Sequence, residues 1–201
     1  MFVFHTNKDN ALSLETFGFY GIDPEASLEE FFRLKTAGIT DLVLDLRYNH
    51  GGAITAATYL SSLVAPKNYV QSKSTLVKLS YNTDLNNYFD AHKYSRSYLL
   101  GEYDNTYEQD PLTNNLDLPR IYIIATYDSY SAAELTIFCL KPYMEVIHIG
   151  NKTGGKYTAS WTLHAYDDDL SLTVYGSNSL FNIPKVLSTS EKETLKNWAM
   201  Q

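Results

Sequence analysis

Three short apolar runs are the feature that most constrains the fold of this chain. They are LVLDL (42–46), IYIIAT (121–126) and EVIHIG (145–150). Strands that read as continuous apolar runs, without polar alternation, are typical of parallel sheets that are buried on both faces. Helical patterns over 53–65 and 131–141 follow the first two runs. This repeated order of strand, helix and strand predicts an α/β fold.

The composition is that of a soluble globular protein with one domain over residues 1–201. The net charge of −7 argues against nucleic acid or an anionic membrane surface as a partner. No apolar run approaches the roughly 18 residues that a membrane-spanning helix needs. The N-terminal residues MFVFHTNKDN lack the pattern of a signal peptide. The single cysteine, Cys139, lies in an apolar run and is expected to be a buried, inert thiol.

A polar and aromatic segment, 81–118, separates the first two repeats. A segment of that length without periodicity is usually functional or mobile, and we interpret it as a substrate-side lobe with a short helix near 95–100. The other predicted elements are a strand at 2–5, a loop over 6–26, a helix from Ser27 to Ala37 that stops at Gly38, two strand-like segments within 68–80, a hairpin of 160–165 with 170–175, and a helix over 190–198.

Ser131 begins the helical pattern that follows the second apolar run. Together with Glu134 it forms the pattern Ser-x-x-Glu, a capping box that satisfies the free N–H groups of a helix. A serine at a helix N-terminus also faces donors that can stabilise a developing oxyanion. The pattern alone is compatible with a cap or a nucleophile, and caps are the more common case.

A nucleophilic serine needs a base, and the histidines are poor candidates because no carboxylate motif singles one out. Lys156 is different, since it follows the flexible turn GNKTGG after the third apolar run. A lysine acts as a base only where burial lowers its pKa from about 10.4 toward neutrality. The common alternative for any lysine is a solvated surface charge.

The turn DLRYNHGG, 45–52, follows the first apolar run. Adjacent glycines between a strand and a helix allow close approach of the backbone and an N–H that points outward. A tight turn without further function is the alternative. Asp45 and Arg47 are expected to pair with each other or with neighbouring residues in a structural network.

Taken together, the three motifs resemble those of the S41 family of serine peptidases, the carboxyl-terminal processing proteases, and most closely its Bacteroidetes-type branch. The family patterns are D-L-R-x-N-x-G-G, S-x-S-A-[SA]-E and G-x-x-T-x-G-K. They match residues 45–52, 129–134 and 150–156, and the interval of 25 residues from Ser131 to Lys156 fits the family. The resemblance covers about residues 27–165.

The resemblance implies a Ser–Lys dyad in which Ser131 is the nucleophile and Lys156 takes its proton. It also implies a ClpP/crotonase-like fold, a spiral of ββα units, and hydrolysis of peptide bonds near the C-termini of polypeptides through an acyl-enzyme, without metal or cofactor. The other site residues that it implies are Gly51 or Gly52 and Ala132 for the oxyanion hole, and Glu134, Thr153 and Ser160 in supporting roles.

The chain departs from its relatives at several points. Ser160 stands where many carry a glutamine that orients the lysine, and Pro142 stands where an aspartate is frequent. No PDZ domain, the module that recruits substrate, precedes the peptidase core, and relatives continue beyond Gln201. We therefore expect a core that is truncated at both ends. Because family members are mostly exported, the periplasm or cell envelope is the expected location.

Two other functions remain open. The tyrosine-rich segment 81–107 and the change at Ser160 are compatible with an inactive homologue that binds peptides or glycans. An acyl-CoA enzyme would share the architecture, but the sequence has no basic patch for the phosphates of coenzyme A.

Overall fold

The chain alternates between strands and helices, and the computed structural model describes residues 2–6, 11–16, 24–103, 109–159, 161–164, 171–174 and 180–182. The strands are β1 (Phe2–Thr6), β2 (Ala11–Thr16), β3 (Asp41–Asp45), β4 (Thr75–Ser80), β5 (Ser97–Leu99), β6 (Arg120–Ala125), β7 (Glu145–Gly150), β8 (Trp161–His164), β9 (Ser171–Val174) and β10 (Leu180–Asn182). The helices are α1 (Pro24–Thr36), α2 (Ile54–Val64), α3 (Lys67–Gln71), α4 (Thr83–Ala91), α5 (Pro111–Asn114) and α6 (Ala132–Leu140).

The central sheet has five strands in the order β1-β2-β3-β6-β7. Strands β2, β3, β6 and β7 run parallel, and β1 pairs antiparallel with β2. The three apolar runs are β3, β6 and β7, so the predicted α/β class is confirmed. The predicted burial is wrong for β7, because it is the edge strand of this sheet and its residues are exposed or half-buried. Asp45, Ile124 and Ile149 lie in register near the carboxyl ends of these strands. The turns that follow therefore leave the same edge of the sheet, where α/β proteins place their sites.

Helices α2 and α6 pack against each other. Nearly every residue of both helices is buried, because neighbouring elements cover them on several sides. Burial of leucine-sized side chains stabilises each helix by about 1.5–3 kcal/mol per side chain. The N-termini of α2 and α6 are therefore fixed supports for the residues that precede them, Gly52 and Ser131.

A second sheet, in the order β10-β4-β5, is antiparallel. The predicted substrate-side lobe contributes β5 to this sheet and also contains α4 and α5. Asn82 caps α4, since its side-chain oxygen accepts the Leu85 N–H at 2.9 Å. The Arg96 guanidinium connects the segment before β5 to α4 by donating to Asn86 Oδ1 and Asp90 Oδ1, both at 2.5 Å.

Four predicted elements differ from the structure. The predicted loop 6–26 contains β2, and α1 begins at Pro24 instead of Ser27. The first strand-like segment of 68–80 is helix α3, and the predicted helix near 95–100 is strand β5. The two missed strands, β2 with six residues and β5 with three, form beside a neighbour that offers backbone partners, β3 for β2 and β4 for β5. Local patterns carry no information about such partners.

The other predicted elements that fall on described residues are confirmed. They include the antiparallel pairing of β8 with β9 and the stop of α1 before Gly38, whose φ of +64° favours glycine. The predicted helix 190–198 lies outside the described residues. Of the helices in the described ranges, none is long and apolar enough to cross a membrane.

Candidate active site

The turns after β3, β6 and β7 are joined by hydrogen bonds. Ser129 is buried between them, where its hydroxyl donates to Leu46 O at 2.6 Å and accepts the Thr126 N–H at 2.9 Å. The Thr126 hydroxyl donates to Arg47 O at 2.7 Å, and the Gly154 N–H donates to Ser129 O at 2.9 Å. The three sequence motifs therefore form one unit at the carboxyl edge of the sheet.

Gly51 lies directly against Ser131. A Cβ atom on Gly51 would be 2.6 Å from Ser131 Cβ and 2.8 Å from Ala132 N, and the φ of Gly51 is +87°. Asn49 holds the turn in this position: its Oδ1 accepts the Gly51 N–H at 2.8 Å, and its carbonyl accepts the Tyr130 N–H at 3.2 Å. Only glycine combines this backbone conformation with so close an approach.

Ser131 has an unusual backbone conformation, with φ +59° and ψ −121°. A residue other than glycine in such a conformation costs about 1–3 kcal/mol, and strain of this kind is concentrated at functional sites. The strained serine directly precedes α6, at the positive end of the helix dipole. The conformation is held by the bond from the Ser131 N–H to Glu134 Oε2, at 2.9 Å. This bond belongs to the capping box that the sequence predicts.

Glu134 links the serine turn to the lysine turn. Its Oε2 accepts the N–H groups of both Ser131 and Lys156 at 2.9 Å, and its Oε1 accepts the Gly155 N–H at 2.8 Å. The two backbone nitrogens are thus no farther apart than twice 2.9 Å. Burial raises the pKa of Glu134, while bonds from the Thr153 side chain and from these N–H groups oppose the rise. Glu134 is 1% exposed, so removing its charge would affect both turns.

The backbone nitrogen of Lys156 therefore lies close to that of Ser131, and Lys156 as a whole residue is exposed to solvent. Thr153, one of the predicted supporting residues, is buried beneath the lysine turn at 5% exposure. Ser160 lies outside the described residues.

Two of the three residues predicted for an oxyanion hole lie next to Ser131 or to Gly51, which contacts it. Ala132 is the first residue of α6, and the first N–H of a helix has no partner within the helix. Gly52 follows Gly51 in the turn beside Ser131. The Gly51 N–H itself is engaged by Asn49 Oδ1. Gly51 thus provides the close approach, while Gly52 and Ala132 are the candidates for donors.

Asp45 and Arg47 form the structural pair that the sequence predicts. The buried Asp45 carboxylate accepts bonds from Arg47 Nε at 2.9 and 3.0 Å, from Nη2 at 2.5 Å, and from the Arg47 N–H at 3.0 Å. The pair fixes the start of the glycine turn. Sequence reasoning did not identify the roles of Asn49 and Ser129, although both lie inside the motifs. Each has one partner in another turn, the Tyr130 N–H for Asn49 and Leu46 O for Ser129, which local patterns do not show.

The fold and site define an α/β protein whose candidate site is a serine at a helix N-terminus, flanked by a glycine turn and a lysine turn. Residues 11–183 match Peptidase family S41, and the chain belongs to this family. This confirms the resemblance that the three motifs indicate.

Solved structures share the fold of this chain. A protein from Bacteroides fragilis assigned to the S41 proteases is 26% identical, with a TM-score of 0.63, and the match covers 90% of this chain and 45% of that one. The photosystem II D1 C-terminal processing protease is 17% identical, with a TM-score of 0.60, over 87% of this chain and 38% of that one. A lipoprotein from Streptococcus agalactiae is 17% identical, with a TM-score of 0.61, and the match covers 99% of this chain and 69% of that one.

The chain thus spans less than half the length of the Bacteroides fragilis protein. Sequence comparison with curated proteins gives no significant match.

Proposed function

We propose that this chain is the core of a serine peptidase in which Ser131 is the nucleophile and Lys156 the general base. The observation that carries the proposal is the shared acceptor: Glu134 Oε2 binds the N–H groups of both residues. Because one carboxylate oxygen binds both turns, the backbones of Ser131 and Lys156 are held close together, as a catalytic dyad requires. The strained conformation of Ser131 and its contact with Gly51 support the same role.

In the proposed reaction, Ser131 Oγ attacks the carbonyl carbon of a peptide bond while its proton passes to Lys156 Nζ. The oxyanion accepts hydrogen bonds from the N–H groups of Gly52 and Ala132, aided by the dipole of α6. The lysine then gives its proton to the departing amine, and water hydrolyses the acyl-enzyme. Lys156 is exposed without substrate, so the bound polypeptide must cover it and exclude water for it to act as a base.

We propose that the substrate is an extended polypeptide, bound by strand addition and cut near its C-terminus. Relatedness to a C-terminal processing protease supports this preference. Lobe 81–118 would form one wall of the substrate cleft. We further propose a ClpP/crotonase-like spiral and export to the periplasm or cell envelope, for which the family and the lipoprotein relative are the support. Fractionation of cells that produce the tagged protein tests the location.

The dyad is tested by single substitutions and hydrolysis of fluorescein-labelled casein. Ser131→Ala and Lys156→Ala are each expected to lower the rate by at least about 10³-fold. Lys152→Ala, an exposed lysine in the same turn, is the matched control and is expected to remain active. Equal turnover by Lys156→Ala and Lys152→Ala would eliminate Lys156 as the base. Peptides with a free or an amidated C-terminus test the positional preference.

Peptide binding without hydrolysis is the second candidate function, and the exposure of Lys156 is the observation that favours it. The two functions differ in one measurement. A peptidase forms an acyl-enzyme at Ser131 with a reactive acylating probe, and mass spectrometry detects it. A binding module retains affinity for peptides in the wild type and in Ser131→Ala alike, and gives no adduct.

A further inference from the structure

A cavity of about 510 Å³ lies between α2 and the 81–118 lobe. Thr55 and Thr58 of α2 line one side, and Leu79 at the end of β4 lines another. The lobe supplies most of the rest of the lining. Its volume falls within the range of ligand pockets, and a large side chain would fit inside it.

The cavity is within reach of Ser131. Thr55 is four residues after Gly51, so their Cα atoms are at most about 15 Å apart. Gly51 in turn contacts the serine. An extended peptide advances about 3.3 Å per residue. A substrate residue within roughly four or five positions of the cleaved bond can therefore place its side chain in the cavity.

The lobe lines the cavity with aromatic rings. They belong to Tyr81, Phe89, Tyr98 and Tyr103. The rings of Tyr81 and Phe89 stack with centroids 5.0 Å apart. Burial raises the pKa of both Tyr81 and Tyr98, so these phenols remain uncharged at neutral pH. Aromatic walls of this kind favour another aromatic ring, through apolar burial and through ring–ring contacts.

The charged groups in the lining are already engaged within the lobe. Arg96 donates to Asn86 and Asp90 and is only 16% exposed in its side chain. Glu102 Oε2 accepts the Leu99 N–H at 3.3 Å. A charged ligand group would have to compete with these bonds, whereas an aromatic ring would not.

We propose that this cavity binds an aromatic side chain of the polypeptide substrate and gives the peptidase a preference for phenylalanine, tyrosine or tryptophan near the cleaved bond. This inference rests on the proposed function and adds a substrate class to it. The preference originates in the 81–118 lobe and not in the Ser131 turn.

The test compares peptides that carry Phe, Ala or Lys at each position within five residues of the cleaved bond. Wild type is expected to prefer Phe over Ala by at least about tenfold in kcat/KM at one position, the factor expected for burial of a ring. Tyr98→Ala removes part of the wall, and Thr55→Trp fills the mouth from an exposed position of α2. Either variant is expected to reduce the preference to within about threefold. Phe32→Ala, which changes an exposed aromatic residue of α1 outside the cavity lining, is the control and is expected to keep the preference.

Equal rates for Phe and Ala peptides at every position would overturn the cavity proposal and leave the proposed peptidase activity intact. If no peptide is cleaved, the same peptides are labelled with a fluorophore, and fluorescence anisotropy measures their binding to the Ser131→Ala protein. This measurement still tests whether the cavity prefers an aromatic side chain. Tighter binding of the Phe peptide, lost in Thr55→Trp, would support the aromatic site without the activity. Binding of N-acetylglucosamine oligomers in place of the Phe peptide would refute it.

Discussion

Gly51→Ala tests the central contact of the candidate site. The added Cβ would be 2.6 Å from Ser131 Cβ, 2.7 Å from Tyr130 O and 2.8 Å from Ala132 N. Carbon atoms in contact are normally about 3.5–4.0 Å apart, so the serine turn must move by about 1 Å. Two of the three clashing atoms belong to the backbone, which cannot be relieved by a change of rotamer.

The cost has two parts. A positive φ for a residue with a Cβ costs about 1–2 kcal/mol, and overpacking of a well-packed site costs about 1–3 kcal/mol. We therefore expect Gly51→Ala to lose about 2–5 kcal/mol of the free energy of unfolding, measured by urea denaturation. A displacement of 1 Å at a catalytic group also lowers the rate by about 10²-fold. Hydrolysis of labelled casein by the folded variant measures this loss.

Gly38→Ala is the matched control. Gly38 also has a positive φ, +64°, but a Cβ there would meet nothing within 4 Å. It should lose only the conformational part of the stability, about 1–2 kcal/mol, and keep full activity. If Gly51→Ala matched Gly38→Ala in both stability and rate, Gly51 would not be in contact with Ser131, and the proposed geometry of the site would be refuted.

Two further predictions concern buried groups whose pKa the fold changes. Because burial raises the pKa of Glu134 above its ordinary value of 4.5, wild type should lose stability as the pH rises from about 4.5 through the folded-state pKa. Glu134→Gln cannot titrate, so its urea midpoint should improve relative to wild type over that interval, while its peptidase rate falls at every pH; parallel stability curves would contradict this. Burial also raises the pKa of Cys139 to about 12, so the thiol should react with Ellman's reagent only when urea unfolds the protein. Rapid labelling of the native protein would show that Cys139 is accessible.

Local sequence patterns were sufficient for the elements that build the scaffold. The runs that became β3 and β6 are apolar because these strands lie inside the sheet, and their burial can be predicted residue by residue, whereas β7 is an apolar run at the exposed edge of the sheet. Helices α2 and α6 are likewise apolar because nearly all of their residues are buried. The turns were predictable for the same reason, because glycine allows backbone conformations that a tight turn needs and serine caps the N-terminus of a helix. Composition and motifs together therefore predicted the α/β class and the family.

Tertiary structure decided what the local patterns could not contain. Strands β2 and β5 pair with β3 and β4, which offer hydrogen-bond partners. The alternation of Leu12 and Leu14 with Ser13 and Glu15 is a local strand signal in β2, whereas the three residues of β5 are too few to show a period. The Gly51 N–H appeared available for an oxyanion hole, but the buried Asn49 amide takes it. Glu134 looked like half of a capping box, yet it also binds the backbone of Lys156, 22 residues away. The contact of Glu134 with Lys156 arises from the register of the parallel strands, which places turns far apart in sequence at one edge of a sheet, whereas the bond between Asn49 and Gly51 forms within one turn.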